Sequence, residues 1–277
     1  MMDMVVNHTS DQHRWFQESL KGKDNPYHDY YLWRDPVDGH EPNNWLSKFS
    51  GSAWEYVPAL DQYYLHLYEK RMSDLNWRNP QLREEIYQMM QFWADLGIDG
   101  LRLDVINNIS KDKEFPNDTF ATPSDDGRNF YTNGPHVHEY IHEMYERVFG
   151  PNNFVTVGEL SSTPVSEAIR YTNPEREELS MAFTFHHVKV DYTGGKKWTL
   201  GQYCLSDLKR ILSQWQTEMA AGGGWNALFW SNHDQPRAIS RFLDDGQYRD
   251  QSAKLLALVE FWLQGTQGIF IKGKKLR

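Results

Sequence analysis

Gly100-Leu101-Arg102-Leu103-Asp104 is the stretch whose reading decides the fold. Apolar residues alternate with Arg102 and Asp104, which is the period of a short strand carrying a charged pair on one face. A buried strand seldom holds two charges unless they are paired. Taken alone, the stretch is read equally well as a structural Arg–Asp ion pair. Two further runs change the weighing. Phe154-Val155-Thr156-Val157-Gly158-Glu159 and Ala227-Leu228-Phe229-Trp230-Ser231-Asn232-His233-Asp234 each end in a carboxylate as well. Acids gathered at the ends of several strands form a pattern that a single ion pair does not.

Helical runs separate these strands. Asn79-Pro80 opens a helix to about Leu96, with Leu82, Ile86, Met89, Met90, Trp93 and Leu96 at helical spacing. Pro135 sits at a first-turn position and predicts a helix to about Phe149. Pro164 starts one of about two turns, Ser206–Met219 another, and Gln251–Trp262 the last. Strands are expected at Asp3–Val6, Ile98–Asp104, Phe154–Glu159, Glu178–Phe185 and Asn226–Trp230, with Ile269-Phe270-Ile271 beginning a sixth. Alternating strands and helices imply a parallel sheet with helical crossovers. Acids at strand C-termini are the arrangement of a (β/α)₈ barrel. A doubly wound sheet is the alternative, but no glycine-rich phosphate loop follows any strand. Residues 1–8 are read as the end of a barrel strand and 9–72 as an inserted subdomain. Residues 73–277 return to the barrel, with an atypical tail at 271–277.

Composition narrows the function classes. The 277 residues carry a net charge of −9 and include 11 Trp and 15 Tyr. An acidic chain disfavours nucleic acid and anionic membrane as partners, while leaving room for a local basic pocket. The aromatic content suits a site that stacks on sugar rings, though a core can absorb much of it. The single Cys204 excludes an internal disulfide framework and a cysteine metal site, and suits a reducing, cytoplasmic compartment. No signal peptide and no membrane-length apolar run is seen. Both ends break in mid-pattern, so the chain is read as a piece of a longer protein, which admits an inactive truncation.

Three carboxylates with His and Arg beside them fit metal-assisted hydrolysis or glycoside hydrolysis. Arg102 lies two residues before Asp104, on the same face of the strand. A guanidinium there keeps Asp104 ionised, which suits a nucleophile. Glu159 has no basic neighbour in sequence and sits among apolar residues, the setting of a general acid.

Asp3-Met4-Val5-Val6-Asn7-His8, Gly100–Asp104, Gly158-Glu159-Leu160 and Trp230–Asp234, in that order, resemble the four signature regions of the α-amylase superfamily, glycoside hydrolase family 13. The resemblance implies a partial (β/α)₈ barrel lacking its first strands and its last, with a small subdomain inserted after the third strand. It implies Asp104 as nucleophile, Glu159 as acid/base and Asp234 as the third carboxylate. It also implies Arg102, His8, His233 and Arg237 as substrate-binding residues, and Asp3 and Asn7 as their supports. The chemistry so implied needs no cofactor and no metal within this chain; the calcium loop of the branch would precede residue 1.

Pro42-Asn43-Asn44-Trp45, Tyr63-Tyr64-Leu65-His66-Leu67 and Asp74-Leu75-Asn76-Trp77 resemble the oligo-1,6-glucosidase branch. Phe183–Tyr192 with Gly194-Gly195-Lys196-Lys197-Trp198 is similar to the trehalose-6-phosphate hydrolases. That implies a small phosphorylated disaccharide as substrate, met by His187, Lys189, Arg128 and Lys196 or Lys197. A monomeric full-length enzyme is expected. The alternatives are an α-glucosidase acting on unphosphorylated isomalto-oligosaccharides and a non-catalytic amylase-like scaffold.

Overall fold

A computed structural model describes residues 1–119, 125–194 and 201–268. They fall into two compact units, Met1–Thr163 and Pro164–Arg277. The predicted strand at Ile269–Ile271, the tail at 271–277 and the pair Lys196-Lys197 lie outside the described residues.

The first unit begins with β1 (Met2–Val5) and β2 (His8–Ser10), then α1 (Arg14–Ser19). Next come β3 (Trp33–Arg34), β4 (Trp54–Val57), β5 (Gln62–Leu65) and β6 (Met72–Asp74). Helix α2 (Pro80–Asp95) leads to β7 (Gly100–Asp104). The short α3 (Arg128–Tyr131), α4 (Val137–Met144) and β8 (Val155–Leu160) complete the unit.

Strand β7 lies between β1 and β8, parallel to both. Its Leu101 and Leu103 are fully buried on one face. Pleating therefore turns Arg102 and Asp104 to the other face. The register pairs Asp3 with Arg102 and Arg102 with Val157. Carried two residues further, it sets Glu159 beside Asp104. Gly100 is required by closeness: a Cβ there would run into the Val155 carbonyl oxygen of β8.

Helix α2 starts where the sequence signals it. The Asn79 side chain accepts hydrogen bonds from the amides of Gln81 (2.8 Å) and Leu82 (3.3 Å), and Pro80 occupies the first turn. Leu82, Ile86, Tyr87 and Met90 form its buried face. The helix expected from Pro135 to Phe149 is instead α4 followed by a wider turn over Tyr145–Phe149, in which the Gly150 amide bonds back to the Tyr145 carbonyl.

The segment after β1 builds its own small body. β3, β5 and β4 form an antiparallel sheet, and β2 pairs antiparallel with β6, returning the chain to where it left. Its core holds Leu32, Trp45, Ala53, Trp54, Leu65 and Leu67, joined by Phe115 and Tyr131 from the loop region after β7. Trp45 stacks on Phe130, and its indole donates to the Pro116 carbonyl at 2.8 Å. Core packing thus takes up much of the Trp and Tyr content that a sugar-stacking site would also have explained.

The second unit holds α5 (Val165–Thr172), β9 (Met181–Thr184), α6 (Leu205–Ala221) and β10 (Ala227–Leu228). It continues with α7 (Ala238–Phe242), α8 (Arg249–Trp262) and β11 (Thr266–Gln267). β10 runs parallel to β11, and Ala182 of β9 bridges Asn226 in parallel. Of the strand expected over Asn226–Trp230, Ala227–Leu228 is strand, and the next carbonyl, that of Phe229, accepts from His187 Nε2 (2.7 Å). Among the described residues, no helix is long and apolar enough to cross a membrane.

The Gly100 contact generates a prediction. Gly100→Ala should prise β7 from β8 and cost about 1–3 kcal/mol, as overpacking does. Urea unfolding of this variant should show a lower midpoint with an unchanged slope.

Candidate functional site

One guanidinium organises the first unit's polar face. Arg102 Nη1 donates to Asp3 Oδ1 at 2.7 Å and to Asp104 Oδ1 at 2.6 Å, while Nη2 donates to Glu159 Oε2. The three carboxylates come from three adjacent parallel strands. The Arg102 side chain is only 8% exposed. Asp104 keeps one edge open, and Glu159 is more deeply buried. Glu159 has no basic neighbour in sequence, but the fold supplies one. Parallel pairing of β7 and β8 lays Arg102 against it, a neighbour 57 residues away in sequence. Acid groups outnumber the one cation on this face three to one, which favours a developing positive charge on a bound molecule.

His8 borders this face. Its buried ring packs against Tyr68, with centroids 5.4 Å apart. Burial pushes its pKa down, while Asp74 and Asp104 pull it up. Behind His8 lies a network that the sequence reading missed. Asn7 Nδ2 donates to Asp74 Oδ1 (2.9 Å), and Lys111 Nζ donates to Asn7 Oδ1 and reaches Asp74 Oδ1, both at 2.8 Å. Asp74 Oδ2 accepts from the Leu67 amide. Lys111 and Asp74 are wholly enclosed. Nothing in Lys111-Asp112-Lys113 distinguishes the buried lysine from the exposed one two residues on.

Arg128, read as a phosphate contact, grips Asp126 through Nε (2.8 Å) and Nη2 (2.6 Å), so much of its fork is engaged within the segment after β7. Lys48 Nζ lies 3.9 Å from the same carboxylate.

In the second unit, Asp234 follows β10 in an exposed turn. Its amide donates to Asn232 Oδ1 (2.9 Å), and its carboxylate lies 3.3 Å from His233 Nε2. Arg237 is exposed at the start of α7. His187 is half-buried, its ring edge-on to Phe229 and Trp230, and desolvation pulls its pKa down to about 4. Its Nε2–H donates to the Phe229 carbonyl at 2.7 Å. Nε2, one of the two nitrogens through which His187 was expected to meet phosphate, is thus already engaged within the protein. Lys189 Nζ lies over the Phe185 ring at 5.8 Å. Arg241, unremarked in the sequence, clasps Asp191 through Nε and Nη2 and donates to the Val188 carbonyl, fixing the segment that carries His187 and Lys189.

Comparison with known proteins adds a decisive observation. The family model for the alpha amylase catalytic domain matches residues 1–274. The chain belongs to the α-amylase family. Its fold is accordingly α/β, part of a (β/α)₈ barrel with an inserted subdomain. Among relatives in the α-amylase family, the trehalose-6-phosphate hydrolase of Bacillus subtilis is 56% identical over all of this chain and 48% of its own length. The oligo-1,6-glucosidase of Parageobacillus thermoglucosidasius is 52% identical over 98% of this chain and 48% of its own. A crystal structure of Bacillus licheniformis trehalose-6-phosphate hydrolase superposes with a TM-score of 0.94 at 56% identity, covering 98% of this chain and 48% of that one. The chain thus spans about half the length of the curated relatives it matches.

The face thus holds three acid side chains on one guanidinium, with the His8 imidazole at its edge. Among the described residues, no group of three or more His, Cys, Asp or Glu side chains is arranged to hold a metal ion.

Removing Arg102 should be costly, because it leaves three carboxylates facing one another. Arg102→Met should lose about 3–5 kcal/mol, the scale for breaking a buried pair. Arg102→Lys, with a single point of charge, should recover only part of that loss in urea unfolding. His187 predicts a pH dependence. Its folded pKa lies below its ordinary 6.5, so between pH 6.5 and about 4 the unfolded chain binds a proton that the folded chain does not. Stability contributed at this site falls as pH drops through that window. His187→Gln, which keeps an N–H donor but does not titrate, should flatten the slope of unfolding midpoint against pH there.

Proposed function

We propose that the protein to which this chain belongs is a retaining α-glycosidase hydrolysing α,α-trehalose 6-phosphate to glucose and glucose 6-phosphate. The observation that carries the reading is the pair Asp104 and Glu159 on the two Nη atoms of Arg102. Sharing one guanidinium keeps the two carboxyls close. That favours a covalent glycosyl-enzyme route over one that must fit a water between carboxyls about 6.5–9.5 Å apart.

In this mechanism Arg102 orients the Asp104 carboxylate, which attacks the anomeric carbon while Glu159 protonates the leaving oxygen. Glu159, now a carboxylate, takes a proton from water as that water attacks the same carbon and frees Asp104. Asp234 and His233 bind ring hydroxyls, as His8 does from the first unit. Side chains supply every proton and the nucleophile, so the chemistry as proposed needs no cofactor. The partner is a small phosphorylated disaccharide rather than nucleic acid or membrane, and the enzyme acts as a cytoplasmic monomer. Identity of 56% to a trehalose-6-phosphate hydrolase supports the phosphorylated substrate. The second reading, hydrolysis of unphosphorylated isomalto-oligosaccharides, is favoured by 52% identity to an oligo-1,6-glucosidase. Lys189 is the proposed phosphate contact that separates them.

The test compares trehalose 6-phosphate with isomaltose. The substrates are given to this chain and to a chimera that joins it to the flanking segments of the Bacillus subtilis relative. A higher kcat/KM on the phosphorylated sugar is expected. Preference for isomaltose would establish the second reading, and no hydrolysis of either by either form would remove the enzyme reading. In the active form, Asp104→Asn and Glu159→Gln should each lower kcat at least about 10²-fold. Lys189→Ala should raise KM for trehalose 6-phosphate and leave isomaltose unchanged.

A further inference from the structure

The buried contacts behind His8 have a direction that runs from Lys111 to the imidazole. An ammonium donates and never accepts. Lys111 Nζ, 2.8 Å from Asn7 Oδ1, therefore fixes which end of the Asn7 amide is oxygen. The opposite end, Nδ2, then has two hydrogens to place. One goes to Asp74 Oδ1 at 2.9 Å, and the other points to His8 Nδ1 at 3.2 Å. An amide NH₂ only donates, so His8 Nδ1 must accept. In a neutral imidazole the proton then sits on Nε2. Burial favours that neutral form.

We propose that Lys111 is a positioning residue that sets the tautomer of His8, acting through the amide of Asn7 so that His8 presents Nε2–H to the polar face. Asn7, Asp74 and Lys111 come from three segments: the turn after β1, the end of β6 and the loop after β7. The donor direction at His8 thus depends on all three being docked together. A lysine suits this task because its charge is balanced by Asp74 and its hydrogens leave the Asn7 amide one orientation. The use of Nε2–H toward a sugar hydroxyl rests on the function proposed above. The tautomer does not, and its measurement separates the two.

The experiment is ¹⁵N NMR of the chain labelled at histidine, with the His8 signals assigned by their loss in His8→Gln. Native His8 should show an unprotonated Nδ1 and a protonated Nε2. Asn7→Asp keeps a partner for Lys111 but turns an acceptor toward Nδ1, and should shift the proton to Nδ1. Lys111→Met should release the amide and give a mixture of tautomers. Protonated Nδ1 in the native chain would overturn the proposal. So would an unmoved proton in Asn7→Asp, a near-isosteric change that keeps the Lys111 charge paired, if Lys111→Met proved too unstable to read. Unchanged signals in a folded Lys111→Met would overturn it as well.

Discussion

The Arg102 guanidinium is the interaction on which the rest depends. It lies on the central one of three parallel strands, and each of those strands sends it a carboxylate. A single planar cation with several donors can satisfy acids arriving from three directions, where a lysine offers one point of charge. The same contacts hold Asp104 and Glu159 in a fixed relation. Fold and chemistry therefore share one cause: the register that pairs Asp3 with Arg102 brings the acids together.

Around this centre, buried polar networks tie peripheral segments to the sheet. Lys111, Asp74 and Asn7 fasten the inserted subdomain to the strand ends of the first unit. In the second unit, Arg241 and Asp191 do the same for the segment bearing His187 and Lys189. Each network places an ion pair out of water, where an unmatched charge is expensive. Their cost is offset only when every partner is in place, which makes the local geometry specific. The two networks hold residues bordering the polar face and the proposed phosphate contacts, so loops that would otherwise be variable carry defined side-chain positions.

Much of this was legible in the chain itself. The helix opening at Asn79-Pro80 follows from a side-chain cap and a proline whose missing N–H costs nothing there. The Arg102–Asp104 pair follows from the two-residue pleat. The candidate acids were found because carboxylates at the ends of apolar runs are rare without a purpose. Less legible were the bond from His187 to the Phe229 carbonyl 42 residues away and the wide turn at Tyr145–Phe149.

The sequence by itself determined the strand-and-helix alternation, the identity of the candidate carboxylates and the kinship with the α-amylase family. Local periodicity and short motifs carry that information. Only the tertiary structure decided that Glu159 shares its guanidinium with Asp104, that His187 bonds the Phe229 carbonyl, and that Lys111 rather than Lys113 is the buried lysine. Those facts depend on which groups pair across strands and which lose contact with water. Burial and pairing are properties of residues distant in sequence, and no local pattern records them.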